Sequence, residues 1–438
     1  MSSKIQAVKG TRDFYPEVLA PIRHVFDAWR RVSIRHGFLE WDGPTLEMLD
    51  LYREKSGDEL VGQLYTLTDS GNRELALRPE MTPTLARMVA ARINALPKPI
   101  KWFCIATLFR GENVQRGRLR EFFQWNVDVI GSADMVADAE VILVGVETLR
   151  ELGLTDVDFR VHISNRRLVQ AMLLAAGIPA EAHGGAYALM DKAGKLPREE
   201  MARRWGEVYG SSISYDALDE LMSVTALTEL RGAIGKIAPP SAELEAAIAD
   251  TERLFAILHD FGIIEYCKLD LHVVRGLAYY TGPVFEFYDR SENERAICGG
   301  GRYDDLLGKL GKTGEPAVGF GMGDVVLSLI LEEKGLLKPA RRGGEVVVAD
   351  AMEGLRPTLH RVVAALRRGG IAAEFSYSHQ AIGKQLKSAD KIGASVVVIL
   401  GDETTSRGAV KIKNMAGGQE REVALEALLG DPRKVLGM

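Results

Sequence analysis

Residues 109–131 read FRGENVQRGRLREFFQWNVDVIG, and the second half of that stretch decides the fold. Phe123, Trp125, Val127 and Val129 alternate with Gln124, Asn126, Asp128 and Ile130. Successive side chains of a strand point to opposite faces, so this is a strand with two unlike faces. An ordinary wet face carries Lys, Thr or Ser; this one carries two amides and a carboxylate. Directly before it lies a loop holding Arg110, Glu112, Arg116, Arg118 and Arg120. KWFCIATLFR leads into that loop as a second strand, so the spacing predicts two strands joined by a strongly basic connection.

Working outward, 17–36 places Leu19, Ile22, Val25, Phe26, Trp29 and Val32 at helical spacing, with Gly37 as a stop. GFLEWDGPTLEMLDLY predicts a strand and, after Pro44, a short helix; QLYTLTDSGNRELALRPE predicts a hairpin turning at DSGN. Helices are predicted from about Thr82 to Leu96, ended by Pro97, and over 137–152. From 166 to 258 the chain is rich in Ala, Leu and Glu at helical period, the texture of a mainly helical insertion. Strand texture returns with CKLDLHVVRGLAYYTGPVFEFYD, where Arg275 is read as ending a strand. AICGGGRYDDLLGKL and AVGFGMGDVVLSLILEEKGLL follow as a strand, a Gly-rich bend and a helix. KPARRGG at 338–344 reads as a linker, and beyond it the order is β-α-β-α-β. The class expected is therefore α+β: a mostly antiparallel sheet flanked by helices, followed by a small α/β domain with partly parallel strands.

A length of 438 residues suits two or three domains, and 46% hydrophobic with 26% charged residues is an ordinary soluble composition. The N-terminal MSSKIQAVKGTRDFYPE has no signal-peptide core, and no run approaches the roughly 18 apolar residues of a membrane span. Cys104, Cys267 and Cys298 form no Cys-x-x-Cys pair, so neither a disulfide framework nor a zinc site is expected, and a reducing cytoplasm fits. The eight histidines are scattered, and no structural metal is assigned. The net charge of −5 is unevenly spread. From Arg341 onward 15 basic residues face 11 acidic ones, +4, which leaves −9 (40 against 49) for residues 1–340. A basic C-terminal module on an acidic body is compatible with RNA contact or with an ordinary solvated surface.

No Gly-x-Ser-x-Gly, Walker-type or His-Glu-x-x-His signature is present, and GFGMGD has the wrong spacing for a dinucleotide fingerprint. The arginines say more. Arg110 and Arg275, each read at a strand end and the latter beside Gly276, suit two-pronged recognition of phosphate or carboxylate, or else surface ion pairs. Glu80 either favours the N-terminus of the helix beginning near Thr82 or binds a ligand. CGGGRYDDL is either an anion cradle or a tight turn. Two arginines, a glutamate before a helix, a Gln/Asn/Asp strand face and the Tyr279–Tyr280 pair together describe a site for a zwitterion beside a polyphosphate.

Over nearly its whole length the sequence resembles the histidyl-tRNA synthetases, class II aminoacyl-tRNA synthetases. VKGTRDFYP resembles the N-terminal signature of the family, and GFLEWDGPTLE its dimer-forming first motif. LRPEMT, the 109–131 stretch and AVGFGMGD resemble its Leu-Arg-Pro-Glu-x-Thr segment, second motif and third motif. VVRGLAYYTGPVFE resembles a motif peculiar to histidyl enzymes, and the tail with KQLKSADKIGA resembles the anticodon-binding domain. The resemblance implies a ligase that joins L-histidine to tRNA(His) through histidyl-adenylate, with ATP and Mg²⁺, as a homodimer.

It divides the chain into catalytic parts at 1–165 and 259–336, a helical insertion at 166–258, a linker at 337–344 and an anticodon-binding domain at 345–438. By that resemblance Arg110 and Arg275 hold the α-phosphate, Arg110 also meeting the amino acid carboxylate. Glu80 and Thr82 bind the α-amino group and Gln124 the carboxylate end. Asp128 and Tyr280, with Tyr279 beside it, read the imidazole, while Glu112 and Arg118 meet ATP. The sequence departs from the pattern where Val326 replaces the phosphate-reaching arginine of the third motif, at Ala278, and at Asn113–Val114. The last change bears on the reading of the extra 5′ guanosine of this tRNA. The alternatives are the histidine-sensing regulatory subunit of ATP phosphoribosyltransferase, which lacks the anticodon domain, and a tRNA-binding pseudo-synthetase.

Overall fold

The computed structural model describes residues 5–53, 62–190, 196–210, 215–236, 239–273, 280–291, 295–310, 314–337 and 345–438. The chain forms two compact units, Met1–Phe14 with Pro21–Lys338 and Tyr15–Ala20 with Pro339–Met438.

An eight-stranded sheet organises the larger unit. Its order is β1 (Leu39–Glu40), β5 (Ile100–Phe109), β6 (Glu121–Ile130), β11 (Ala317–Gly323), β10 (Cys298–Arg302), β9 (Pro283–Asp289), β7 (Phe159–Asn165) and β8 (Cys267–Leu269). Only the outer pairs, β1 with β5 and β7 with β8, run parallel; the rest is antiparallel, as the hairpin-rich sequence predicts. A smaller sheet of β2 (Leu46–Met48), β4 (Glu74–Leu77) and β3 (Thr66–Thr68) holds the DSGN hairpin. Asp69 closes that turn by accepting from the amides of Gly71 and Arg73.

The two faces of β6 are as unlike as its sequence. Trp125, Val127 and Val129 enter the main apolar core with Phe26 and Trp29 of the helix Pro16–Arg35 and with the helix Met135–Glu151. Trp29 stacks on Trp125 at 5.8 Å, Phe320 meets Trp125 edge-on at 5.0 Å, and the Trp125 indole donates to Ser33 at 3.1 Å. Truncating so enclosed an aromatic costs roughly 3–5 kcal/mol. On the other face the helix Thr82–Arg92 lays Met81, Leu85 and Val89 over Cys104, Ala106 and Leu108 of β5, in a cluster that also takes in Tyr280 and Tyr303.

Four readings change. Leu46–Met48 is an additional short strand after Pro44. Phe159–Asn165, which the sequence reading passed over, is a buried strand next to β9. CGGGR is neither cradle nor turn but the strand β10, its backbone bonded to β9 and β11 on either side. Glycine suits it because a Cβ at Gly300 would stand 2.2 Å from the Gly319 carbonyl oxygen. Finally, β8 stops at Leu269 and 271–272 form a turn, so the strand does not run on to Val273; Arg275 and Tyr279 lie outside the described residues, as does the linker at 338–344.

The segment after Asn165 is helical, from Arg166–Ala175 to Ala242–Asp260, and packs into the main core. The smaller unit has the order β13 (Ala373–Phe375), β12 (Val346–Asp350), β14 (Val396–Leu400), β15 (Ala409–Asn414), β16 (Glu420–Ala424). Its first three strands are parallel, as predicted, and the last two add antiparallel pairs. Among the described residues no helix is long and apolar enough to cross a membrane.

Candidate active site

The polar row of β6 lies against glycine. In the β6–β11 register Gln124, Asn126 and Asp128 stand opposite Gly323, Gly321 and Gly319, and Gly321 and Gly319 in turn face Gly299 and Gly301 of β10. A Cβ at Gly319 would meet Asp128 Oδ1 at 2.1 Å, and one at Gly321 would meet the Gln124 amide at 2.8 Å. Two adjacent strands thus carry no side chains beside the three polar ones, and Asp128 and Gln124 lean into the space this leaves, making a polar floor over glycine. At 3.3 Å per residue, Gln124 and Asp128 mark points about 13 Å apart along it.

At the Gln124 end opens a cavity of about 570 Å³, within the range of small-ligand sites. Arg110, Glu112, Arg118, Gln124 and Arg295 line it, with Phe122, Tyr288 and the first turn of the helix Asp324–Glu333. Arg110 is fixed by its Nε bond to the Pro79 carbonyl (3.0 Å) and by the Phe122 ring beneath its guanidinium (5.3 Å). Arg118 forms an ion pair with buried Glu112. Among the described residues three guanidinium groups against one carboxylate leave the wall at +2, the sign a polyphosphate needs.

At the other end Asp128 is 5% exposed and accepts a hydrogen bond from Tyr303. Burial pushes its carboxyl up to about 7, although the tyrosine hydroxyl pulls it down. Tyr280 is buried beside Gly301, where a Cβ would come within 3.0 Å of its ring. Glu80 is buried just ahead of the helix Thr82–Arg92; the N-cap position is Met81, with no side-chain cap, so Glu80 does not serve as the helix cap.

Arg110, Glu112, Arg118 and Gln124 therefore meet around one cavity. Asp128 and Tyr280 stand further along the same sheet face, while Glu80 and Thr82 sit at the start of the helix that covers β5. Sequence reasoning missed several partners. Tyr303 and Arg295 have no periodic signal. The glycines of GFGMG carried one, since they alternate in step with the polar row opposite. Asp324 is fully buried, bonded to Arg12 (2.8 Å) and to the Phe123 amide (2.8 Å), which ties VKGTRDF to the third-motif helix and the start of β6. Val114 and Arg120 pack on Gly10, each 2.8 Å from where a Cβ would stand, its φ of +90° also favours glycine, and the Gly10 carbonyl accepts from the Arg120 amide at 2.9 Å. Asp270 binds His162 and His272 through their ring nitrogens at 2.9 and 3.2 Å, bracing the chain just before Arg275.

Residues 10–324 match the family model of histidyl-tRNA synthetase, and 345–431 match an anticodon-binding domain. The chain belongs to the histidyl-tRNA synthetase family. The histidine–tRNA ligase of Opitutus terrae is 39% identical over 96% of both chains. The chloroplastic and mitochondrial histidine–tRNA ligase of Arabidopsis thaliana is 38% identical over 96% of this chain and 85% of its own. The histidyl-tRNA synthetase of Nostoc, at 23% identity, shares the fold over 99% of this chain and 100% of its own, with a TM-score of 0.84. The synthetase family uses ATP as a substrate, and the arginine-lined cavity is where this member of it offers positive charge.

Proposed function

We infer that the chain is a histidine–tRNA ligase. The observation that carries the reading is the continuous polar row of Gln124, Asn126 and Asp128 over a glycine floor, with the arginine-lined cavity at one end. That face is long enough for an amino acid and an adenylate end to end. A carboxylate oxygen of histidine attacks the α-phosphorus of ATP, the bond to the bridging oxygen breaks, and pyrophosphate leaves. Transfer to the terminal hydroxyl of tRNA(His) then releases AMP. No side chain need act as nucleophile, so the site works by positioning and charge stabilisation.

Arg110 takes the α-phosphate and carboxylate, with Arg275 as its counterpart. Glu112 and Arg118 meet ATP, Gln124 the carboxylate end, and Glu80 with Thr82 the α-amino group. A neutral imidazole offers one donor and one acceptor. Asp128 accepts its N–H, and Tyr280, with Tyr279 next to it, completes the pocket. Mg²⁺ would arrive on the phosphates: among the described residues no group of three His, Cys, Asp or Glu could hold a metal. Among the described residues one carboxylate, Glu112, lines the cavity, which fits an ion bound mainly through substrate oxygens.

The division into a catalytic body, a helical insertion at 166–258 and an RNA-binding tail is part of the same proposal. On the tail, Lys384, Lys387 and Lys391 are exposed along one face of the helix Ile382–Lys391, suited to phosphates. We place the enzyme in the cytoplasm as a homodimer; Leu39, Leu46, Met48 and Leu67, exposed on β1, β2 and β3, favour a covered apolar face. The histidine sensor is disfavoured by the anticodon-binding match. Charging of tRNA(His) with labelled histidine tests the proposal: esterified histidine is expected, and tRNA binding without esterification would leave the pseudo-synthetase reading in its place.

A further inference from the structure

The third-motif helix presents no cation to the phosphate cavity. Its first turn is Asp324, Val325 and Val326; Asp324 is committed to Arg12 and the Phe123 amide, and the two valines line the wall. With Arg110 and Arg275 assigned to the α-phosphate and Arg118 already facing Glu112, the valine wall offers no cation to the far end of a triphosphate.

A third guanidinium enters from elsewhere. Arg295 stands ahead of β10 and lines the same cavity as Val326. It is exposed at that wall, so it can move to a ligand without breaking a core. Among the described residues its hydrogen-bond partner is the neutral Gln115 carboxamide, at 2.7 Å. Partial burial, and then the like charge of Arg118, hold its pKa below the ordinary arginine value, with Glu112 opposing them, so the guanidinium faces another cation across the wall. An anion placed between Arg295 and Arg118 would relieve that repulsion.

We propose that Arg295 binds the pyrophosphate end of ATP, supplying from the β9–β10 connection the cation that Val326 cannot. The proposal rests on the ligase reading and adds to it the residue that holds the leaving group. Because pyrophosphate is what Arg295 grips, its removal weakens ATP and pyrophosphate alike and spares AMP and histidine.

The test compares wild type, Arg295→Ala, Arg295→Lys and Gln115→Ala in histidine-dependent pyrophosphate exchange, with ATP and AMP binding measured by calorimetry. Arg295→Ala is expected to raise KM for ATP and for pyrophosphate about ten- to a hundredfold, the usual span for losing a hydrogen-bonded charge. KM for histidine and affinity for AMP should stay within about twofold of wild type, and Lys should restore part of the loss. Gln115→Ala should leave KM for ATP close to wild type. An unchanged KM for ATP in Arg295→Ala would overturn the proposal. So would an equal loss in Gln115→Ala, since Arg295 would then merely brace the loop. Absence of exchange in the wild type would instead strike the ligase reading, and ATP binding to wild type and Arg295→Ala would still decide the role of Arg295.

Discussion

Asp128 shows what a single residue tells and hides. Alternation gave its face, and the family resemblance implies its role beside the imidazole. Its environment was not legible, because Tyr303 is 175 positions away and burial follows from packing. That environment has a consequence for pH. The carboxyl titrates at about 7 in the fold, against 3.8 for an unperturbed aspartate. Between roughly pH 4 and 7 the folded chain keeps a proton that the unfolded chain has released, so the stability this group contributes is greatest in acid and falls as pH rises through that window. Asp128→Asn removes the titration. Its unfolding free energy should therefore gain on that of the wild type between pH 5 and pH 8, and a constant difference across that range would contradict the assignment. In the proposed catalysis the sign reverses, because there the ionised form accepts the imidazole N–H. The kcat/KM for histidine should rise with pH through about 7 in the wild type, and the variant should lose that rise along with most of its activity.

Elements were legible where period and punctuation agreed. The helix Pro16–Arg35, the DSGN hairpin, the paired strands β5 and β6 and the β-α-β-α-β tail all follow from apolar spacing and turn residues. Glycine runs misled, since a strand of CGGGR carries no side-chain alternation to read. Its composition is explained only by the strand and the ring that pack on it. The glycines are not equivalent, and this can be measured. A methyl at Gly321 would first meet the movable Gln124 amide, whereas one at Gly300 would strike backbone of β11. Gly321→Ala should fold like the wild type but bind the adenylate poorly. Gly300→Ala should lose stability by about 1–3 kcal/mol or more, the cost of overpacking. Thermal denaturation beside histidine-dependent exchange separates the two; equal losses of stability would refute the idea of a functional floor.

For the whole molecule, the division into a sheet-centred body and a small α/β tail was readable from composition, charge and element order. For its exposed apolar edge the resemblance alone implies a use, the two-fold contact of a dimer. Leu46 and Met48 are each more than 40% exposed on β2. If that edge is the two-fold contact, Leu46→Glu with Met48→Glu should shift sedimentation from dimer to monomer while leaving secondary structure intact. A wild-type chain that sediments as a fully active monomer would refute it.

The account turns on adenylate formation, and the direct measurement is exchange of labelled pyrophosphate into ATP with each amino acid in turn, using wild type and Arg110→Ala. The account predicts exchange with histidine alone, falling at least about a hundredfold in the variant, as expected for losing a charge-stabilising donor at the reacting phosphate. Histidine binding without exchange in the wild type would contradict it.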